Sequence, residues 1–127
     1  MQKSLEKSRE RAIKAAITVK ENYEFRRIYH KGRSAVSPYM VVYCLKNREG
    51  ASRLGVTVSR KLGHAVVRNR VRRRLREIYR LNRDKMQPGW DVIVVGRSRG
   101  ISGDYRKMNE AYLDCLRKLS LLREDEG

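Results

Sequence analysis

Between Ser59 and Arg83 the chain reads SRKLGHAVVRNRVRRRLREIYRLNR, and this stretch limits what the whole can become. Ten of its residues are basic (Arg60, Lys61, Arg68, Arg70, Arg72, Arg73, Arg74, Arg76, Arg80, Arg83) and one, Glu77, is acidic, so it carries nine of the chain's seventeen net positive charges. A segment this charged repels itself, and counterion release on a polyanion would offset the repulsion. Its apolar residues nevertheless keep a helical period. Val67, Val71, Leu75 and Ile78 fall at i, i+4, i+8 and i+11, so one stripe can face a core. The charge is therefore mounted on a folded helix.

A basic helix face is often only a solvated surface. Here Arg68, Arg72, Arg76 and Arg80 form a row of their own, and like charges at that spacing cost a helix roughly 0.2–0.5 kcal/mol per pair. Arginine is used in place of a lysine mixture, which suits bidentate phosphate contacts. Nucleic acid is the expected partner.

At 127 residues the chain is expected to form one domain with a modest core. The segment 1–16 mixes Lys, Arg and Glu with few apolar residues and reads as a charged, mobile extension; 17–122 is the expected domain, and 123–127 a short acidic tail. Cys44 and Cys115 sit in apolar runs and read as buried free thiols; no pair has zinc-ligand spacing. No apolar run is long enough to span a membrane, and the N-terminus lacks the apolar region of a signal peptide, so a cytoplasmic location is expected.

Asn22 is a good N-cap for a first helix ending before Gly32, a good C′ residue. Tyr39–Leu45 reads as a buried strand with Pro38 at its start, and Asn47–Ser52, with Gly50, as a hairpin loop into a strand over Arg53–Ser59. The basic helix ends near Asn82. Pro88-Gly89 makes a turn into a strand over Trp90–Gly96. Asp104 caps a last helix whose stripe is Tyr105, Met108, Tyr112, Cys115, Leu116 and Leu119. Three or four strands with helices on one side predict an α+β sandwich. A strand, the basic helix and a further strand allow a parallel crossover, right-handed by default.

With these elements placed, the chain resembles the protein component family of bacterial ribonuclease P over roughly Val19 to Leu122. The matching stretches are NYEFRRIYHKGRS, MVVYCL, GVTVSRKLGHAVVRNRVRRRLRE and DVIVVGR. The most specific piece is the Arg68-Asn69-Arg70 signature, preceded by a Ser-basic-basic-x-Gly lead-in at Ser59–Gly63. The resemblance implies a single-domain α/β sandwich in αβββαβα order with a left-handed crossover through the basic helix, against the right-handed default. It also implies a role. The holoenzyme removes 5′ leaders from precursor tRNA, a large RNA performs the Mg²⁺-dependent chemistry, and the protein binds that RNA and the leader, one protein per RNA. Departures from the family pattern are His64, Thr18 and Arg74, the last of which borders the apolar stripe and is expected to snorkel.

The residues agree that the protein carries no catalytic group or bound metal of its own. No carboxylate cluster suits two-metal hydrolysis, and His30 and His64 read as surface or RNA-contact residues. The expected RNA contacts are Arg60, Lys61, Arg68, Asn69, Arg70, Arg72, Arg73 and Arg76. Phe25 and Tyr29, one turn apart, and Tyr43 on a central strand are implied to line a leader cleft distinct from the arginine helix, binding bases by stacking. Taken without the resemblance, these three would be core aromatics. The competing readings are a ribosomal-type RNA-binding protein without an enzyme role and an independent protein nuclease.

Overall fold

The computed structural model describes residues 18–101 and 103–123. The extension expected over 1–16 lies outside them, as does the tail beyond Arg123. Helix α1 (Asn22–Lys31) leads into strands β1 (Arg33–Val36), β2 (Met40–Lys46) and β3 (Arg53–Val58). Helix α2 (Ala65–Asn82), strand β4 (Trp90–Gly96) and helix α3 (Tyr105–Lys118) follow. This is the mixed α+β order expected, with β1 settling the strand count before the basic helix at three.

The sheet runs β1-β2-β4-β3. β2 pairs antiparallel with both β1 and β4, and β3 pairs parallel with β4. The strand–helix–strand unit β3-α2-β4 is thus a parallel crossover. The expected hairpin between β2 and β3 does not form, because β4 lies between them. The reason is apolar: Val92, Ile93 and Val94 are at most 1% exposed, so this strand needs cover on both faces and both edges. The loop after β2 therefore spans a strand. Asn47 holds it, donating from Nδ2 to the Ala51 carbonyl at 2.9 Å and to Asp91 at 2.8 Å.

Strand alternation divides the core. Met40, Val42, Cys44, Val92, Val94, Leu54 and Val58 face α2 and α3, meeting Val71, Leu75, Ile78, Met108, Tyr112 and Leu116. On the opposite face Ile93, Tyr43, Leu45 and Val95 meet Val19, Phe25 and Ile28. Helices therefore cover both faces, α1 on one and α2 with α3 on the other, where helices on one side were expected. The alternation in β2 already carried this, since Tyr43 and Leu45 would otherwise be left bare.

The helix ends show smaller departures. Glu21, not Asn22, is the N-cap of α1 and makes no side-chain cap. Gly32 is extended (φ −79°, ψ 171°), so it is not a left-handed terminator. It is needed for closeness, since a Cβ there would lie 2.5 Å from the carbonyl oxygens of both Ile28 and Cys44. Asp104 caps α3 as expected, accepting from the Arg106 N–H at 2.8 Å. Tyr105 belongs less to the core than its stripe suggested and is 37% exposed. Arg74 is half-buried, and its Nη1 donates to the Gly103 carbonyl at 3.3 Å.

Candidate nucleic-acid interface

Three aromatic rings form a continuous line on the face covered by α1. The Tyr29 and Tyr43 ring centroids are 4.8 Å apart at 82°, and those of Phe25 and Tyr29 are 6.3 Å apart at 43°. The line runs from Tyr43 on the interior strand β2 to Phe25 over Gly55 on the edge strand β3. Tyr29 remains 38% exposed, and Phe25 and Tyr43 are half-buried. The rings pack together, and they do so at an open margin.

At the β3 end the line opens into a groove of about 980 Å³. Phe25, Gly55 and Val56 line one wall, and Asn69, Arg72, Arg73, Arg76 and Arg80 line the other. The aromatic cleft and the arginine helix were expected to be separate. They share this groove through Phe25, because β3 is an edge strand and α2, packed against it, overhangs the open side. Asn69 orients its neighbour, its Oδ1 accepting from Arg72 Nη1 at 3.0 Å.

The expected RNA contacts therefore fall into two groups. Asn69, Arg72, Arg73 and Arg76 line the groove. Arg60, Lys61, Arg68 and Arg70 lie outside it, at the N-terminal end of α2 and in the 3-10 turn (Arg60–Leu62) before it. That turn is fixed by Ser59, whose Oγ accepts from the Lys61 N–H at 3.2 Å. The Nε of Arg68 is buried without an acceptor among the described residues. Arg80 also faces the groove; its membership of the i+4 arginine row was the signal for it.

One positioning device had no signal in the sequence. Arg53 grips Asp91 through Nε at 2.9 Å and Nη2 at 2.7 Å, and its Nη1 pairs with Glu24. Hydrogen bonding to Asp91 raises the guanidinium pKa further above its ordinary value and keeps it charged. Glu24 adjoins Phe25, so the clamp ties the first turn of α1 to β3 and β4 beside Gly55.

The architecture and sequence both match known proteins. A family model described as Ribonuclease P matches residues 13–120. The chain is 39% identical over 109 residues to the ribonuclease P protein component of Natranaerobius thermophilus, covering 86% of this chain and 95% of that protein. It is 40% identical over 104 residues to the counterpart in Clostridium botulinum strain Loch Maree, covering 81% and 94%. Its fold is similar to the RNase P protein of Staphylococcus aureus, with a TM-score of 0.76, 31% identity, and 84% and 98% of the two chains covered. The RNase P protein of Thermotoga maritima gives 0.71, 32%, and 87% and 98%.

Proposed function

Because the chain belongs to the ribonuclease P protein component family, the RNA-binding subunit serving tRNA 5′ maturation, we propose that its two groups of basic residues face two RNAs. Arg60, Lys61, Arg68 and Arg70 anchor the protein on the ribonuclease P RNA. The ring line and the groove receive the single-stranded 5′ leader of precursor tRNA. The observation that carries this reading is the continuity of Tyr43, Tyr29 and Phe25 with Asn69, Arg72, Arg73 and Arg76. Aromatic faces stack on bases without demanding a sequence, while arginines lining a groove track phosphates. A duplex offers no unstacked bases to such a ladder; a leader does.

The hydrolytic step is assigned to the RNA. Among the described residues no three His, Cys, Asp or Glu side chains converge on one point. In the complex, Mg²⁺ belongs to the RNA and supplies charge neutralisation and the activated nucleophile. The protein's part is electrostatic and geometric. Its cations lower phosphate repulsion and so the Mg²⁺ concentration needed, and its ladder fixes the strand next to the scissile bond. One protein per RNA satisfies this scheme. No helix among the described residues is long and apolar enough to cross a membrane. The ribosomal-type reading is not favoured by the family.

The test is reconstitution with ribonuclease P RNA and labelled precursor and mature tRNA. Tyr43→Ala should weaken precursor binding by about 1–3 kcal/mol while leaving mature tRNA unaffected. A folded variant with the wild-type precursor-to-mature ratio would remove Tyr43 from the leader site. Correctly placed, metal-dependent cleavage by RNA-free protein would overturn the assignment of chemistry to the RNA.

A further inference from the structure

The outward face of α1 is not used by the groove or by the core. Tyr23, Arg27 and His30 stand at i, i+4 and i+7 and share that face, flanked by Arg26 and Lys31. All five are exposed, Tyr23 at 69%, and none of the four basic residues forms an ion pair with a described residue. The acid of the same helix, Glu24, is turned inward onto Arg53. The face is thus cationic with a bare phenol at its centre.

Cations on a solvent-facing helix need no ligand to explain them. Tyr23 does need an explanation, and its place on the helix supplies one. Tyr23, Arg26 and Tyr29 are three residues apart in turn, so they form one row around the helix, aromatic, cation, aromatic. The last member of the row is the ring that already packs edge-on against Tyr43. A strand leaving the ring line at Tyr29 therefore meets Arg26 for a phosphate and then Tyr23 for a base, with Arg27 and His30 beyond.

We propose that the outer face of α1, centred on Tyr23, is a second single-stranded RNA subsite. It takes leader nucleotides farther from the cleavage site than those held in the cleft. This rests on the leader reading above. The occupant is single-stranded nucleic acid because the face pairs an exposed π-surface with unpartnered cations, the combination that stacking and phosphate tracking together require.

The experiment uses the reconstituted holoenzyme and three ligands: mature tRNA, precursor with a leader of about 4 nucleotides, and precursor with one of about 12. Wild type should gain affinity at each step. Tyr23→Ala combined with Arg26→Gln should abolish the second gain, about 5- to 100-fold, leaving the first gain and the melting temperature unchanged. Tyr23→Phe, which keeps the ring, should retain it. Persistence of the second gain in the double variant, or its absence in wild type, would overturn the subsite while leaving the cleft intact. Absence of the first gain in wild type would instead overturn the leader reading, and the subsite with it.

Discussion

The ring of Phe25 occupies the space that a side chain on Gly55 would need. A Cβ built there would stand 2.7 Å from Phe25 Cζ and 2.8 Å from Cε1. Gly55→Ala must therefore displace the ring that joins the aromatic line to the arginine groove. Overpacking should cost about 1–3 kcal/mol of stability. The precursor-to-mature affinity ratio should fall as well. Thermal melts and the ratio measured together check this; wild-type values for both would mean that Phe25 moves aside freely.

Arg53 should matter more than either of its partners. Arg53→Gln leaves the Asp91 and Glu24 carboxylates, 7% and 15% exposed, facing each other without a cation. The expected loss is about 3–5 kcal/mol. Asp91→Asn leaves Arg53 paired with Glu24 and should cost less. Urea denaturation of the two variants gives the order, and the reverse order would contradict the clamp.

The two arginine groups should separate in salt titrations. Removing Arg70 should weaken binding to ribonuclease P RNA and lower the salt slope by about one unit, with the precursor-to-mature ratio unchanged. Removing Arg72, which lines the groove, should lower that ratio. Identical behaviour of Arg70→Ala and Arg72→Ala would dissolve the division.

Alkali should unfold the protein from within. Burial pushes the Tyr112 phenol well above its ordinary 10.0, and raises Tyr79 above the same value. Burial likewise raises the Cys44 and Cys115 thiols above 9.0. These groups stay protonated in the fold while the unfolded chain releases its protons, so their stabilising contribution is complete below about pH 9 and declines above it. Tyr112→Phe removes one such group, along with the hydrogen bond its hydroxyl donates to Met86 Sδ at 3.2 Å. It should flatten the decline between about pH 10 and 12, read as stability against pH. An unchanged slope would exclude Tyr112 as a contributor.

Periodicity made the local elements legible. Val71, Leu75 and Ile78 in α2 and Met108, Tyr112, Cys115 and Leu116 in α3 are buried as their spacing demands. What periodicity does not encode is which strand a strand will choose. Gly50 reads as a hairpin signal as far as the loop itself goes, yet β2 turns to β4 because Val92–Val94 must be enclosed on both sides. The Arg53–Asp91 pair bridges 38 residues and leaves no local trace. Of the site, the residue types were legible from charge and aromatic spacing. The union of Phe25 with the arginine wall was not, since it depends on β3 lying at the sheet's edge.

That edge position also governs the order in which the chain can assemble. β3 gains its only neighbour within the four-stranded sheet when β4 arrives on the far side of α2, and parallel pairing over such a loop is slow to close. The crossover must therefore bring nine of the chain's seventeen net positive charges together between Ser59 and Arg83 before the strand that anchors it is in place. Polyvalent anions relieve the repulsion among these charges, so refolding should quicken in their presence, and the RNA that the subunit serves would double as the counter-charge under which its sheet is completed.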